Sequence, residues 1–381
     1  MIVFDMNYSG VRLYFGESSA KKLEGHLEGF ARVAIATSKT AAKVSGALGD
    51  VTGLLEKRSA SYFVYDKFTP NPTIDETVEF ARQAWEYGAE AIVAIGGGSV
   101  IDAAKVAALA KLNGNRINDI VYGRYRPSSG VPLFAVNLTH GTGTEIDRYS
   151  VISDPDNKEK RGFSSLYPTA SVDDPRYLRT LPKDQTVYTS LDAFYHSYEA
   201  ATRLSSSPYI DMLSRESVTK IAYWLPRALV DLTAVEPRYW LLYASMVAGI
   251  AIDMAGTHII HELEHIVSGI NPKVAHGAGL AMLGPRSAYY THRLSPVKSA
   301  EVLSIFDPSL RPSPDDADKA ENALRKFQES VGFRERLSDY GFGKDDVPVM
   351  VDTVVKNKGL PGPRLLPITE DMVADIFMKS L

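Results

Sequence analysis

The chain contains no cysteine. That single absence excludes disulfides, thiolate-zinc sites, iron–sulfur clusters and thiol catalysis, and it fits a reducing compartment. Glutamine is nearly missing too, with three in 381 residues (Gln83, Gln185, Gln328). Together the two shortages point to a thermophilic source. Charge of one sign is not in excess: 42 basic against 46 acidic side chains leave a net charge of −4 and a pI near 6.1. Neither a nucleic acid nor an anionic membrane is expected as a partner, because both select basic patches. Long hydrophobic runs are absent as well. The most apolar stretch, Trp240 to Ile252, has thirteen residues, whereas a spanning helix needs about 20, so it reads as a buried core helix. The opening MIVFDMNYSGVRLYFG lacks the charged and apolar regions of a signal peptide. A cytoplasmic protein is expected.

What is present divides into two halves. In the first, strand-like runs alternate with helix-like ones: ARVAIAT (31–37), then SKTAAKVSGALGDV with helical spacing; SYFVYDKF (61–68), the turn TPNPT (69–73), then IDETVEFARQAWEYG (74–88); AEAIVAIGGGS (89–99), then VIDAAKVAALAKL (100–112); and VPLFAVNLT (131–139). That alternation predicts a parallel sheet covered by helices on both faces. From about Leu181 long helical patterns take over, among them QTVYTSLDAFYHSYEAATRL and YWLLYASMVAGIAIDMAGTHIIHELEHIVSG, and β-branched runs disappear. The length calls for two domains, and the change in pattern places them at 1–180 (α/β) and 181–381 (all-helical). RPSPDDADKA (311–320) reads as a loop leading into a helix.

Two glycine-rich segments are candidate ligand turns. Gly96-Gly97-Gly98-Ser99 leaves a strand and opens a helix, where bare backbone N–H groups and the helix dipole attract phosphate. Ser99 and Asp102 have the spacing of a capping box. The dinucleotide fingerprint G-x-G-x-x-G is absent, and a tight strand-to-helix turn explains the glycines equally well. Thr139-His140-Gly141-Thr142-Gly143-Thr144 follows another strand, where ligand crevices form, and a plain polar loop would also account for it.

Of eight histidines, four fall between 258 and 276. His258, His261 and His265, spaced i, i+3 and i+7, should share one helical face. Asp192 and His196 form a second pair at i and i+4. One buried histidine is ordinary, but four so close imply a purpose, because burying that many polar rings without partners is costly. A carboxylate with imidazoles from two helices makes a sulfur-free site for Fe(II) or Zn(II). His261-Glu262-Leu263-Glu264-His265 also spells the H-E-x-x-H of a zinc peptidase. Against that reading, the further metzincin positions hold Ser268 and Asn271, no local pattern supports Glu301 as a glutamate ligand, and the glycine turn and the Asp192/His196 pair go unexplained.

Taken jointly, FTPNPT (68–73), GGGSVIDAAK (96–105), LTHGTGTEIDRYSVISD (138–154), TSLDAFYHSYEA (189–200) and the THIIHELEH…AHG segment ending at Gly277 resemble the iron-containing (group III) alcohol dehydrogenases. The resemblance covers essentially the whole chain. It implies an α/β N-terminal dinucleotide-binding domain with a parallel sheet and an all-α C-terminal metal-binding domain, with the active site between them. It places Asp192, His196, His261 and His276 on the metal, Fe2+ or Zn2+, and His265 beside the nicotinamide as a proton relay. His258 is extra and should pack nearby, and Glu262 has no role. For the cofactor it places Gly97, Gly98 and Ser99 at the pyrophosphate, with Asp102 counted in the same turn, and Asn71 near the adenosine. Thr139, His140 and Thr142 would line the nicotinamide half, and Lys160 would contact ribose.

The implied activity is that of an alcohol dehydrogenase or aldehyde reductase. The metal polarises the alcohol or carbonyl oxygen while hydride moves to or from the nicotinamide. Relatives often carry an aspartate after the first domain strand that repels a 2′-phosphate; here Ser38 stands there beside Lys39. NADP is therefore expected in preference to NAD. A zinc polyol or glycerol-phosphate dehydrogenase on the same scaffold is the alternative, and a non-catalytic metal- or nucleotide-binding module is a remoter one. The family also implies a homo-oligomer, a dimer at least.

Overall fold

Seven strands form the sheet of the first unit, in the order β1-β2-β9-β6-β5-β3-β4. They are β1 (Phe4–Tyr8), β2 (Val11–Phe15), β3 (Arg32–Ser38), β4 (Ser61–Phe68), β5 (Ala91–Gly96), β6 (Leu133–Asn137) and β9 (Ala170–Asp173), while β7 (Tyr149–Asp154) and β8 (Glu159–Ser164) make a separate antiparallel ribbon. The computed structural model describes residues 1–114, 116–358 and 367–381. From β2 to β4 the large sheet is parallel. The central strands β5 and β6 are buried throughout, as expected where a parallel sheet is covered on both faces. One edge is antiparallel: β1 and β2 form a hairpin whose two turn residues, Ser9 and Gly10, have φ of 47° and 90°. Both values suit the turn that matches strand twist.

Helices of this unit are α1 (Leu23–His26), α2 (Ala41–Val44), α3 (Ala47–Lys57), α4 (Ile74–Glu86), α5 (Gly98–Leu112) and α6 (Ile117–Val121). The helical spacing of 38–51 resolves into two pieces, because Gly46 adopts φ 84° between α2 and α3. Helix α4 begins with a capping box, in which the Thr73 hydroxyl accepts the Glu76 amide and the Glu76 carboxylate accepts the Thr73 amide. The expected box at Ser99 and Asp102 does not form. Helix α5 starts at Gly98 with Gly97 as its cap, so Ser99 already lies inside the first turn and cannot cap it.

The second unit is helical: α7 (Lys183–Thr202), α8 (Pro208–Val230), α9 (Val235–Ala255, of which residues 235–242 belong to the first unit), α10 (Ile259–Ile270), α11 (His276–Leu294), α12 (Pro296–Leu303), α13 (Ala317–Ser330), α14 (Val347–Lys358) and α15 (Glu370–Ser380). By contacts the chain divides into residues 1–182 with 231–242, and residues 183–230 with 243–381. The long pattern 239–269 is not one helix. Gly256, at φ 78°, ends α9, and α10 leaves it at 102°. Among the described residues no single helix is long and apolar enough to cross a membrane.

Candidate metal centre and cofactor turn

Three helices of the second unit converge on one cluster of acids and imidazoles. Helix α7 aligns Asp192, His196 and Glu199 at i, i+4 and i+7, hence on one face. Helix α10 contributes His261, Glu264 and His265, and His276 is the first residue of α11. Close approach is built into the glycines of α11. A Cβ on Gly277 would lie 2.0 Å from the Tyr188 carbonyl oxygen, and one on Gly284, two turns on, 1.9 Å from the Tyr195 hydroxyl. These two positions let α11 lie directly on α7, which brings the His276 ring to Asp192.

The imidazoles share a focus. The Nε2 atoms of His196, His261 and His276 lie 3.6, 3.5 and 3.7 Å from the same atom, Asp192 Oδ1. The His196 and His261 rings stack at 4.5 Å. Asp192, His196 and His261 are buried, while the His276 side chain keeps about a fifth of its surface. The His265 ring lies 5.7 Å from that of His276. His258 departs from the expected arrangement: it precedes α10 in non-helical geometry, so the three-histidine face is reduced to His261 and His265. As anticipated it finds a partner nearby, the Thr202 hydroxyl at 2.8 Å.

Electrostatics bind the cluster together. Burial would raise the Asp192 carboxyl, but the neighbouring His196, His261 and His276 hold it well below the usual carboxylate range. Burial likewise opposes a charged His261, yet Glu199 and Asp192 lift it to about 9. Three buried carboxylates, Asp192, Glu199 and Glu264, lie against these rings, and buried negative charge of this kind is stabilised by a cation. Asp192 Oδ1 and His261 Nε2, although buried, have no hydrogen-bond partner. Metal–ligand bonds of about 2.0–2.2 Å put neighbouring donors roughly 3–4 Å apart, which is the spacing found. The residues therefore fit a divalent ion, and the N and O donor set suits iron or zinc. Donor atoms of Asp192, His261 and His276 lie within 4.8 Å of one another, as do those of Glu264, His265 and His276. Glu262 is half-buried in the first turn of α10 and belongs to neither group.

In the first unit, the carboxyl ends of four parallel strands stand in register: Ser38 pairs with Phe68, Thr37 with Ile95, and Gly96 with Asn137. This row is where open α/β sheets bind ligands. It brings Ser38, the Gly97–Ser99 turn and the Thr139–Thr142 loop side by side. Gly97 and Gly98 are required by that neighbour: a Cβ on the first would meet the Thr139 side chain at 2.7 Å, and on the second the Thr142 methyl at 2.5 Å. Asn71 sits at φ 55°. Its turn joins the β7–β8 ribbon, since the Ser153 amide donates to Pro72 and Ser153 stands opposite the buried Lys160.

Two positions expected at the cofactor turn inward instead. The Asp102 carboxylate accepts the Thr144 hydroxyl at 2.6 Å and the Val151 amide at 2.8 Å. His140, 1% exposed, lies 3.2 Å from a guanidinium nitrogen of the fully buried Arg238. Burial and that charge depress its imidazole to about 3. The sequence reading missed Glu199, Glu264, Lys105 and Arg238. Glu199 was legible as the third member of an i, i+4, i+7 series with Asp192 and His196; Arg238 had no local signal.

A mostly parallel α/β unit with a glycine turn at its strand ends, joined to a helical unit holding one aspartate among three imidazoles, defines a metal-assisted dehydrogenase architecture. Comparison with known proteins agrees. Residues 10–175 match the family model described as iron-containing alcohol dehydrogenase, and residues 186–381 match its C-terminal counterpart. The chain belongs to the iron-containing alcohol dehydrogenase family, and its activity is that of an alcohol dehydrogenase or aldehyde reductase using a nicotinamide cofactor. It is 38% identical over 378 residues to the long-chain primary alcohol dehydrogenase AdhA of Thermoanaerobacter ethanolicus, covering 96% of this chain and 95% of that one. Among solved structures it is similar to the archaeal halo-thermophilic Red Sea brine pool alcohol dehydrogenase ADH/D1, with a TM-score of 0.90 and 26% identity over 100% of both chains. It is also similar to the NADH-dependent butanol dehydrogenase A of Thermotoga maritima, with a TM-score of 0.87 and 27% identity over 98% of both.

Proposed function

We propose that the helical unit holds one divalent metal, iron or zinc, on Asp192, His196, His261 and His276, and that the α/β unit binds NADP in preference to NAD. The reaction is reversible oxidation of a primary alcohol to its aldehyde, the class to which the 38% identical relative's name points. One observation carries the metal assignment: the Nε2 atoms of His196, His261 and His276 all lie 3.5–3.7 Å from the buried Asp192 Oδ1. A bound divalent cation supplies Lewis acidity toward the substrate oxygen. Asp192 contributes the one anionic donor, and the imidazoles contribute neutral ones. His265, one turn beyond His261, accepts the alcohol proton at a ring nitrogen and passes it to water, so that hydride loss to the nicotinamide and proton loss to solvent balance the oxidation. His265→Ala should alter the pH profile of the rate; an unchanged profile removes this role.

The cofactor preference rests on Ser38. It ends β3 where an acid would repel a 2′-phosphate, and Lys39 follows it. Gly97, Gly98 and Ser99 would take the pyrophosphate at the start of α5, Asn71 the adenosine side, Thr139 and Thr142 the nicotinamide half, and Lys160 a ribose. Steady-state rates at 340 nm with both cofactors test the preference. A higher kcat/KM with NAD overturns it.

A further inference from the structure

Two fully buried acids, Glu199 and Glu264, stand behind the candidate metal ligands. Glu199, fully buried on α7, accepts the Ile260 amide at 2.7 Å with one oxygen and the His261 amide at 3.4 Å with the other. Those are the second and third amides of α10, the groups an N-cap side chain normally satisfies. His258, in the cap position, makes no side-chain cap bond, so the cap comes from a different helix. The same Glu199 oxygen also bonds His261 Nδ1. Glu264, fully buried on α10, bonds His276 Nδ1 in the same way. Space for it depends on Gly279, where a Cβ would come within 2.8 Å of Glu264 Cγ. In both rings the opposite nitrogen, Nε2, faces Asp192 Oδ1, at 3.5 and 3.7 Å.

We propose that Glu199 and Glu264 are positioning residues for the metal: each accepts the Nδ1 proton of one histidine, fixing the tautomer and ring angle that present Nε2 to the ion. The inference rests on the metal reading above. A carboxylate only accepts, so a neutral ring bonded to it through Nδ1 carries its one proton there and keeps its Nε2 lone pair for a cation. Outer partners of this kind orient a ligand imidazole and increase its basicity. Glu199 does more, because it also anchors the start of the helix that carries His261. It therefore couples the seating of α10 on α7 to the aim of the ring. Within the HELEH segment the working glutamate is then Glu264, not the Glu262 that makes the stretch look like a peptidase.

Glutamine substitutions separate the parts of this role. In Glu199→Gln one oxygen becomes an NH2, which must face either the Ile260 amide or the His261 ring N–H. In Glu264→Gln an acceptor for His276 Nδ1 survives, whereas Glu264→Leu removes it. The measurement is titration of metal-free full-length protein with Zn2+ against a chromophoric chelator. The visible spectrum of the Co2+ form reports coordination, and circular dichroism of each metal-free variant establishes that it is folded. Glu199→Gln and Glu264→Leu are expected to bind Zn2+ about 10–100-fold more weakly with an altered Co2+ spectrum, and Glu264→Gln to fall between Glu264→Leu and the parent. If the folded variants bind within twofold of the parent with its spectrum, the inference is overturned and the metal reading stands. A parent that takes up no stoichiometric metal overturns both. Should Glu199→Gln not fold, the ordering of the two Glu264 variants decides.

Discussion

Replacing Lys105 by methionine should destabilise the α/β unit more than any other single change near the glycine turn. The ammonium is fully buried, and its three N–H donors are shared among four oxygens: the Thr144 hydroxyl (2.7 Å), the Asp147 carbonyl (2.9 Å) and carboxylate (3.1 Å), and the Tyr149 carbonyl (2.8 Å). Through Thr144, which donates to Asp102, it ties the segment after the Thr139–Thr142 loop to α5. Methionine fills much the same volume but leaves these acceptors without a donor. Above pH 7, where Asp147 is ionised, removing one member of a buried ion pair costs about 3–5 kcal/mol, which for a unit of this size corresponds to a melting-temperature drop of roughly 6–20 °C.

The deficit should also depend on pH in a defined direction. Burial pushes the Asp147 carboxyl up to about 7, against the pull of Lys105. Without the ammonium it rises further. A carboxyl raised in the folded state stabilises below its unfolded value and loses that contribution as pH rises through the folded one. Below pH 7 both proteins carry the proton and the dependence cancels. Above pH 7 the parent ionises Asp147 opposite Lys105 while the variant resists, so the deficit widens by up to about 1.4 kcal/mol per pH unit. Calorimetric melting of both proteins at pH 6 and pH 8 measures this. A variant melting within 2 °C of the parent at pH 8, or a deficit equal at the two pH values (roughly, within error), would refute the reasoning.

Gly277→Ala should push α11 off α7, because its Cβ would lie 2.0 Å from a backbone oxygen that cannot move alone; a loss of about 1–3 kcal/mol or more with reduced metal content is expected, and normal metal content at an unchanged melting temperature would rule it out. Asp192→Ala and His196→Ala should each abolish bound metal and activity together, as read by elemental analysis of the purified proteins; full metal occupancy in either removes that residue from the donor set. His140, held at about 3 by burial and Arg238, binds fewer protons folded than unfolded below its ordinary value near 6.5, so its contribution is intact above that value and is lost as pH falls toward 3. His140→Gln should flatten the acid limb of the stability curve relative to the parent, by up to roughly 4–5 kcal/mol at the acid end; parallel acid limbs would contradict it.

Short-range pattern carried much of this protein. The alternation of apolar β-branched runs with helical spacing placed β3, β4, β5 and β6 and the helices after the first three of them, because run composition and period-3.6 spacing are local properties. The hairpin β1–β2 went unread: MNYSGVRLYF holds only a two-residue Ser-Gly turn signal between two strands of five residues each. The break at Gly256 also went unread, since one glycine inside an otherwise apolar helical run is ambiguous until the packing on either side forces φ 78°.

By itself the sequence determined the inventory of the site. Asp192 with His196 and His261 with His265 are one turn apart, and helical geometry places each pair on one face whatever the rest of the chain does. Only the tertiary structure decided which of these atoms meet. Glu199 reaches His261 across 62 residues, Gly277 and Gly284 set how closely α11 lies on α7, and Asp102 and His140 turn inward to Thr144 and Arg238 rather than outward. Helical periodicity relates a residue to its neighbours three and four positions away. The aim of an imidazole depends on a carboxylate from another helix, and no local pattern encodes that pairing.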